Sequence, residues 1–461
     1  MPKGTKLVII PDAGSNQFQE HCELRARGID VLVIDHHEAE KYSDNALVIN
    51  NQMCDYPNKT LSGAGVVYKF CSNIDYLLGR HYSELYLDLV GLGIVADVMD
   101  LREFETRYLI SKGFKNVRNP LFEALAERNS FSMKDKVNPM TVAFYIAPYI
   151  NAICRSGTQE EKLTVFESML EFKANDKVPS TKRGEAGRTE VRVLQACRYM
   201  TNVKSRQKRM RDNGYEIIEN MIEDNNLLDN KILVACLPKD IEIEPSLRGL
   251  IANQLMSKYQ RPVLVLSETD DAWEGSARNY DKLATFTNFK DFISECPGVL
   301  YAEGHQGAFG CGISKDKYDE FIEYSNEKLK DIDFSPFYGV DFIYQGYNLD
   351  NYEIMEIGNL EDLWGKGLDE PLVAIENIII TKDGISLLSP DRTPTLKFEL
   401  PNGISFIKFG SSKDEYEELK KHEKIVINVV GKCATNLYGG HANAQIMVEE
   451  YEVIRAIDYE F

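Results

Sequence analysis

Asp35-His36-His37 follows directly on the apolar run Ile29-Asp30-Val31-Leu32-Val33-Ile34. A carboxylate and two imidazoles at the end of a buried strand project metal-binding groups from the carboxyl edge of a sheet. Open α/β sheets place their ligands along that edge. Lys6-Leu7-Val8-Ile9-Ile10 ends likewise in Pro11-Asp12, and Asp97 follows the apolar segment Gly93-Ile94-Val95-Ala96. Asp12, His36 and Asp97 together offer mixed oxygen and nitrogen donors, a set that suits Mn²⁺ or another transition metal better than Ca²⁺. A lone Asp at a strand end is more often a cap or turn residue. Three strand ends carrying the same chemistry reverse that expectation.

The elements that must position these groups are α/β in pattern. Up to about residue 155, apolar strand-like runs alternate with helical patterns, which implies a parallel sheet with crossover helices. Ser62-Gly63-Ala64-Gly65 opens an amphipathic stretch from Val66 to Leu78, and small residues there serve close packing more often than phosphate binding. Tyr86 to Val95 reads as a buried helix that delivers Asp97. Residues from about 160 to 230 read as mainly helical, with a break near Pro179 to Gly187. A second α/β unit follows, with strands Ile232 to Leu237 and Pro262 to Leu266 around a helix Ser246 to Tyr259 that begins with a Ser cap.

From about residue 370 the pattern is all-β: Leu372 to Thr381, Ile385 to Ser389, Thr395 to Leu400, Ile404 to Phe409, Lys424 to Val430 and Ala444 to Tyr451. Turn signals at Lys382-Asp383-Gly384 and Pro401-Asn402-Gly403, with a helical stretch from Ser412 to Lys421, suit an OB-like barrel. Such barrels bind single strands by aromatic stacking and a basic groove. Phe398, Phe406, Lys408 and Phe409 are candidates, although alternating Phe residues are usually core. Gly439-Gly440-His441 reads as a hairpin turn. The expected division is 1–157, 158–230, 231–335, a linker over 336–371, and 372–461.

A chain of 461 residues with 43% apolar residues supports two to four domains. The formal charge of −19 excludes a protein coated in nucleic acid all over, yet Phe172 to Asp212 carries 12 Lys/Arg against 4 Asp/Glu. Such a stretch is either a phosphate-contact track or a solvated helix balancing acidic neighbours. The nine cysteines form no Cys-x-x-Cys pair, so neither a zinc ribbon nor a disulfide framework is indicated. No apolar run reaches transmembrane length and no signal peptide opens the chain, so a soluble, cytoplasmic protein is expected.

The segments Ile10 to Gln17 (IPDAGSNQ), Val33 to Glu40 (VIDHHEAE) and Gly93 to Leu101 (GIVADVMDL) resemble the second, third and fourth motifs of the DHH phosphoesterases. The likeness is greatest to the RecJ-type single-strand DNA exonucleases, in their phage and Gram-positive bacterial forms. Trp273 to Asn279 and Ala302 to Gly310 resemble the two signatures of the DHH-associated domain, usually Gly-Ser-x-Arg-Ser and Gly-Gly-His, with Glu303 in place of the first Gly. Ile146 to Arg155 is similar to the segment that closes the family's first domain, and Trp364 to Pro371 to the loop leading into its barrel.

The resemblance implies metal-dependent phosphodiester hydrolysis with two Mn²⁺ or Mg²⁺ ions. Asp12 would bridge the ions, while His36 and Asp97 complete one ligand set. His37 would stabilise charge at the scissile phosphate, and Asp35 would fix imidazole orientation. Asn151 and Arg155 would line the DNA path, and Ser276, Arg278, Gly304 and His305 would bind the substrate. Apart from the resemblance, Arg278 would more often be a surface ion-pair residue. The implied activity is 5′-to-3′ exonuclease action on single-stranded DNA, releasing mononucleotides, in a bacterial or phage-encoded protein. The alternatives are a phosphodiesterase for short oligonucleotides or cyclic dinucleotides, which the OB-like tail disfavours, and an inactive single-strand-binding scaffold.

Members of the family begin with a strand ending in Asp-x-Asp, and this sequence starts almost on top of the second motif. The expectation is that at least one strand–helix unit, on the order of thirty residues or more, is missing, which makes the chain a fragment, one half of a split enzyme, or a protein that has lost full catalysis. Little activity is then expected of the chain alone, with restoration by a complementing amino-terminal polypeptide.

Overall fold

The computed structural model describes residues 1–458 apart from 186, 281–285, 336 and 439, and for Tyr438 only the backbone. The chain forms two compact units, one of Met1–Asn151, Leu163–Cys197 and Gly339–Phe461, the other of Ala152–Lys162 and Arg198–Tyr338.

The first unit opens with β1 (Leu7–Pro11), α1 (Phe18–Ala26), β2 (Asp30–Asp35) and β3 (Leu47–Asn50), the strands pairing in parallel in the order β1-β2-β3. The helix between β1 and β2 is the crossover that parallel pairing demands. β2 is central and accordingly buries Val31, Val33 and Ile34, whereas the edge strand β1 leaves Leu7 and Ile9 exposed. Helices α2 (Gly63–Leu78), α3 (Leu87–Ala96) and α4 (Phe104–Phe114) follow. Ser62 caps α2 by accepting from the Gly65 N–H, and Gly79 ends it at φ 61°. α3 buries Val90, Leu92, Ile94 and Val95, as a helix apolar nearly all round must.

Helices α5 (Pro120–Arg128), α6 (Ser130–Met133), α7 (Pro139–Tyr145), α8 (Ala147–Ser156), α9 (Gln159–Met169) and α10 (Glu171–Ala174) lead to an antiparallel hairpin of β4 (Lys177–Pro179) and β5 (Thr189–Val191). This hairpin is the break expected near Pro179 to Gly187. The long α11 (Arg192–Asp224) comes next.

The second unit is a sheet with helices on both faces: β6 (Leu233–Leu237), α12 (Pro245–Tyr259), β7 (Val263–Glu268), β8 (Ala272–Arg278), α13 (Phe289–Glu295), β9 (Val299–His305), β10 (Ala308–Ser314) and α14 (Tyr318–Leu329). Its order is β6-β7-β8-β10-β9, with only β6 and β7 parallel among the described residues. Leu264, Ala277, Phe309 and Cys311 pack one face against Phe289 and Phe321. Ala235, Val263 and Val265 pack the other against Ile251 and Leu255 of α12 and Ile218 and Ile222 of α11. The expected Ser246 cap is corrected: Glu244 holds the cap position and Pro245 begins the helix, its fixed φ and absent N–H suited to the first turn.

The remainder of the first unit carries β11 (Phe342–Gln345), α15 (Asn351–Gly358), β12 (Leu372–Thr381), β13 (Ile385–Leu388), β14 (Thr395–Glu399), β15 (Ser405–Phe409), α16 (Lys413–Leu419), β16 (Lys424–Tyr438) and β17 (His441–Ile457). Among the described residues these strands pair in the order β11-β12-β16-β17-β15-β14-β13. β16 and β17 run well past the expected Lys424 to Val430 and Ala444 to Tyr451. Backbone pairing continues, through two register shifts, into polar stretches that lack the apolar pattern of a buried strand. Gly439 of the expected turn lies outside the described residues; Gly440 has φ 82°. Phe398 and Phe406 belong to the core, so they are no stacking surface, while Phe409 is exposed. The segment before β12 is clasped to the turn after α3. The Leu101 N–H donates to the Lys366 carbonyl at 2.7 Å, and Gly367 lies so close to the Asp100 carboxylate that a Cβ would fall 2.2 Å from it. Among the described residues, no helix is long and apolar enough to cross a membrane.

Candidate metal centre and anion-binding face

The ends of β1 and β2 and the end of α3 bring Asp12, His36 and Asp97 together. His36 Nε2 lies 3.2 Å from Asp12 Oδ1 and 3.3 Å from Asp97 Oδ2. That nitrogen is buried and has no aligned hydrogen-bond partner among the described residues. Burial opposes protonation of His36, but Asp12, Asp97 and Asp35 outweigh it and raise its pKa. Asp97 is raised too, by burial and the Asp12 charge, against the pull of His36 and His37. Two carboxylates and one imidazole competing for a proton are the donor set that a divalent cation takes over on displacing it. The residues therefore fit a metal such as Mn²⁺.

Asp97 leaves a helix, as expected of Tyr86 to Val95, and is therefore not a third strand end. The Met99 N–H bonds the Ile94 carbonyl and the Val98 N–H the Val95 carbonyl, closing α3 in a Schellman motif with Val98 at φ 56°. This turn throws Asp97 outward at the helix end. Asn151 Nδ2 reaches the Ala96 carbonyl beside it at 3.5 Å. Asp12, at φ 59°, turns out of β1 while its N–H still bonds the Ile34 carbonyl of β2. Two small residues permit the convergence. A Cβ on Gly63 would fall 2.1 Å from Asp12 Oδ1, and one on Gly93 would fall 2.7 Å from the Ala64 Cβ, so α2 meets both β1 and α3.

Asp35 and His37 form the supporting layer. Asp35 is 1% exposed. Its Oδ1 accepts from the His36 N–H (2.8 Å) and from His37 Nδ1 (2.7 Å), and its Oδ2 from the Ser15 N–H (3.1 Å). Burial alone would raise its pKa, but these bonds bring it down to about 2. Asn50, at the end of β3, donates to Ser15 Oγ and to the His37 carbonyl. The sequence pattern singled out neither Ser15 nor Asn50. A polar residue ending the apolar run Leu47-Val48-Ile49 was the available signal for the second.

The second unit holds the other expected residues. Arg278 and Ser276 end β8, and Gly304 and His305 end β9. The Arg278 guanidinium lies against Gly249 of α12, where a Cβ would fall 2.4 Å from Nη2. Burial lowers the Arg278 pKa, and the charge of Arg155, near the end of α8, adds to the effect. Two cations so placed favour an anion between them. Lys290, which the sequence reading passed over, donates to the Gly304 carbonyl beside His305.

Part of the basic stretch is held in ion pairs. Arg192 pairs with Glu167 and Asp176, Lys182 with Glu185 and Glu190, and Arg206 with Glu161. Lys208 and Arg209 are exposed on α11, with no ion pair among the described residues.

The family described as DHH family, N-terminal domain, matches residues 1–94, and the DHHA1 domain matches residues 229–331. A Bacillus subtilis (strain 168) protein, provisionally named a SPbeta prophage-derived single-strand DNA-specific exonuclease, is 38% identical over 99% of this chain and 79% of its own length. The single-stranded-DNA-specific exonuclease RecJ of the same organism is 26% identical over 98% of the chain and 54% of its own length. The crystal structure of RecJ in complex with Mn²⁺ from Thermus thermophilus matches with a TM-score of 0.71 at 20% identity, over 98% of this chain and 62% of that one. This chain belongs to the RecJ-type branch of the DHH family.

Proposed function

We propose that the chain is a metal-dependent exonuclease polypeptide that hydrolyses single-stranded DNA from the 5′ end and releases mononucleotides. The observation that carries the reading is the buried His36 Nε2, held between Asp12 and Asp97 without an aligned partner among the described residues. Mn²⁺ or Mg²⁺ held there supplies Lewis-acid activation of water and phosphate. Asp12 and Asp97 bring charge, and His36 brings a neutral nitrogen. His37, its Nδ1–H committed to Asp35, turns Nε2 outward toward the scissile phosphate. Asn151 and Arg155 line the strand's path, and Ser276, Arg278, Gly304 and His305 hold a phosphate of the strand through donors and a glycine backbone.

The assignment gives residues 1–157 to the phosphoesterase domain, 158–230 to a connector, 231–335 to substrate binding, 336–371 to a linker, and 372–461 to an OB-like strand-binding domain. A second ion requires carboxylates beyond Asp12, His36 and Asp97. A complementing strand bearing Asp-x-Asp would supply them beside β1, which pairs with β2 alone among the described residues and exposes Leu7 and Ile9.

The test is hydrolysis of 5′-labelled single-stranded DNA with Mn²⁺, with and without a separate strand–Asp-x-Asp–helix segment from a relative. Mononucleotide release that increases with the added segment and is lost in Asp12→Ala is expected. No hydrolysis in either mixture overturns the exonuclease reading.

A further inference from the structure

Beyond the phosphate-binding residues, one face of the second unit's sheet forms a trough. α11 and α12 cover the β6 and β7 half of that face. The other half is ordered by strand register into three rows: Arg278–Ala308–His305, Ser276–Gly310–Glu303 and Glu274–Gly312–Tyr301. In these three rows the middle strand β10 contributes Ala308, Gly310 and Gly312, so the floor there is flat. Strand residues on one face repeat about every 6.6 Å, which sets the Tyr301 row about 13 Å from the Arg278 row.

Tyr301 does not stand up from the floor. A Cβ on Gly312 would fall 2.5 Å from its Cε1, 3.0 Å from its Cδ1 and 3.2 Å from its Cζ, so the ring lies across the glycine. The residue is nonetheless 37% exposed. The ring is thus seated on backbone while part of the side chain meets solvent. Arg248, on α12, forms the facing wall, its guanidinium donating to the Glu274 carbonyl at 3.3 Å. Glu303 stands in the row between the anion-binding end and the ring, and Glu274 in the ring's own row. Carboxylates there repel phosphates, so a strand anchored by phosphate at Arg278 and His305 turns its bases, not its backbone, toward this floor.

We infer that Tyr301 is the stacking platform for a nucleobase of the bound single strand, with Gly312 as the seat that keeps the ring flat. This rests on the single-strand-DNA reading above and names a specific base contact within it. Stacking of this kind tolerates any base, because every base presents a π face.

The full chain is mixed, in EDTA to prevent hydrolysis, with 5′-phosphorylated single-stranded oligonucleotides carrying 2-aminopurine at successive positions from the 5′ end. The expected result is fluorescence quenching confined to one or two adjacent positions. Quenching persists in Tyr301→Phe and is lost in Tyr301→Ala, with affinity about tenfold weaker. An abasic site at the quenched position should erase the difference between Tyr301→Ala and the unaltered protein. Unchanged quenching and affinity in Tyr301→Ala overturn the inference. So does a weakening that persists on the abasic strand, because the ring then serves only to cover Gly312. Failure of the unaltered protein to bind any of these strands overturns the single-strand-DNA reading itself.

Discussion

Asp35 Oδ1 and His37 Nδ1 stand 2.7 Å apart, and this bond decides which nitrogen of His37 faces outward. The same carboxylate oxygen holds the His36 N–H, so one buried charge orients both imidazoles. Asp35→Asn keeps the volume but loses the charge and offers an N–H where acceptors are needed. Calorimetry should show Mn²⁺ affinity about 10- to 100-fold weaker, with the circular dichroism spectrum unchanged. Equal affinity would leave Asp35 a purely structural role.

Gly63 gives a sharper test of the centre, because it is not itself a ligand. Gly63→Ala sets a methyl against the Asp12 carboxylate, which cannot stay where it is. Mn²⁺ affinity should fall at least tenfold, approaching that of Asp12→Ala, while the melting temperature changes little. Titration of all three proteins with Mn²⁺ checks the ranking.

The ion pairs of α11 divide its cations into two classes. Lys208→Ala with Arg209→Ala should lower the slope of log affinity against log salt by about 1.4, as two lost phosphate contacts on a single strand would. Arg206→Ala should instead cost stability, because Arg206 also donates to the Ser156 carbonyl. Fluorescence anisotropy across a salt series separates the two.

Glu105 makes a pH prediction away from the metal centre. It accepts from Tyr56, Asn58 and Lys69. Burial would raise its pKa, but these partners outweigh it and hold it below the usual value of 4.5. A carboxylate with a depressed folded-state pKa stabilises above its unfolded pKa, and the contribution is lost as pH falls through the folded one. Glu105→Ala should cost about 1–3 kcal/mol at neutral pH by stranding three donors. Urea unfolding from pH 7 to pH 3 should show the gap to the unaltered protein shrinking below about pH 4.5.

The strand-end positions of Asp12 and His36 were legible because the end of an apolar run and the polar residue after it are written in adjacent letters. The helix that delivers Asp97 was legible over Tyr86 to Val95, although Gly93-Ile94-Val95-Ala96 alone is apolar without a period that separates strand from helix. Ser15, Asn50 and Gly63 matter only through neighbours distant in the chain, and nothing local marks them. The Gly-Ser-Ala-Arg run of β8 announced Arg278, yet the trough beside it depends on β10 lying between β8 and β9. That order is a property of topology, not of any one segment. The ends of β16 and β17 were misjudged because pairing there is sustained by backbone bonds beyond the apolar pattern.

Val98 occupies a backbone region that a β-branched side chain adopts only at a cost, and glycine is the usual resident of that turn. A selection for thermal tolerance alone should therefore favour Val98→Gly early, since it relieves strain without touching the core. The same change would let the chain after α3 swivel and loosen the aim of Asp97. A more heat-resistant variant with weaker metal retention would show that rigidity at this helix end, rather than robustness of the whole, is what the sequence has kept.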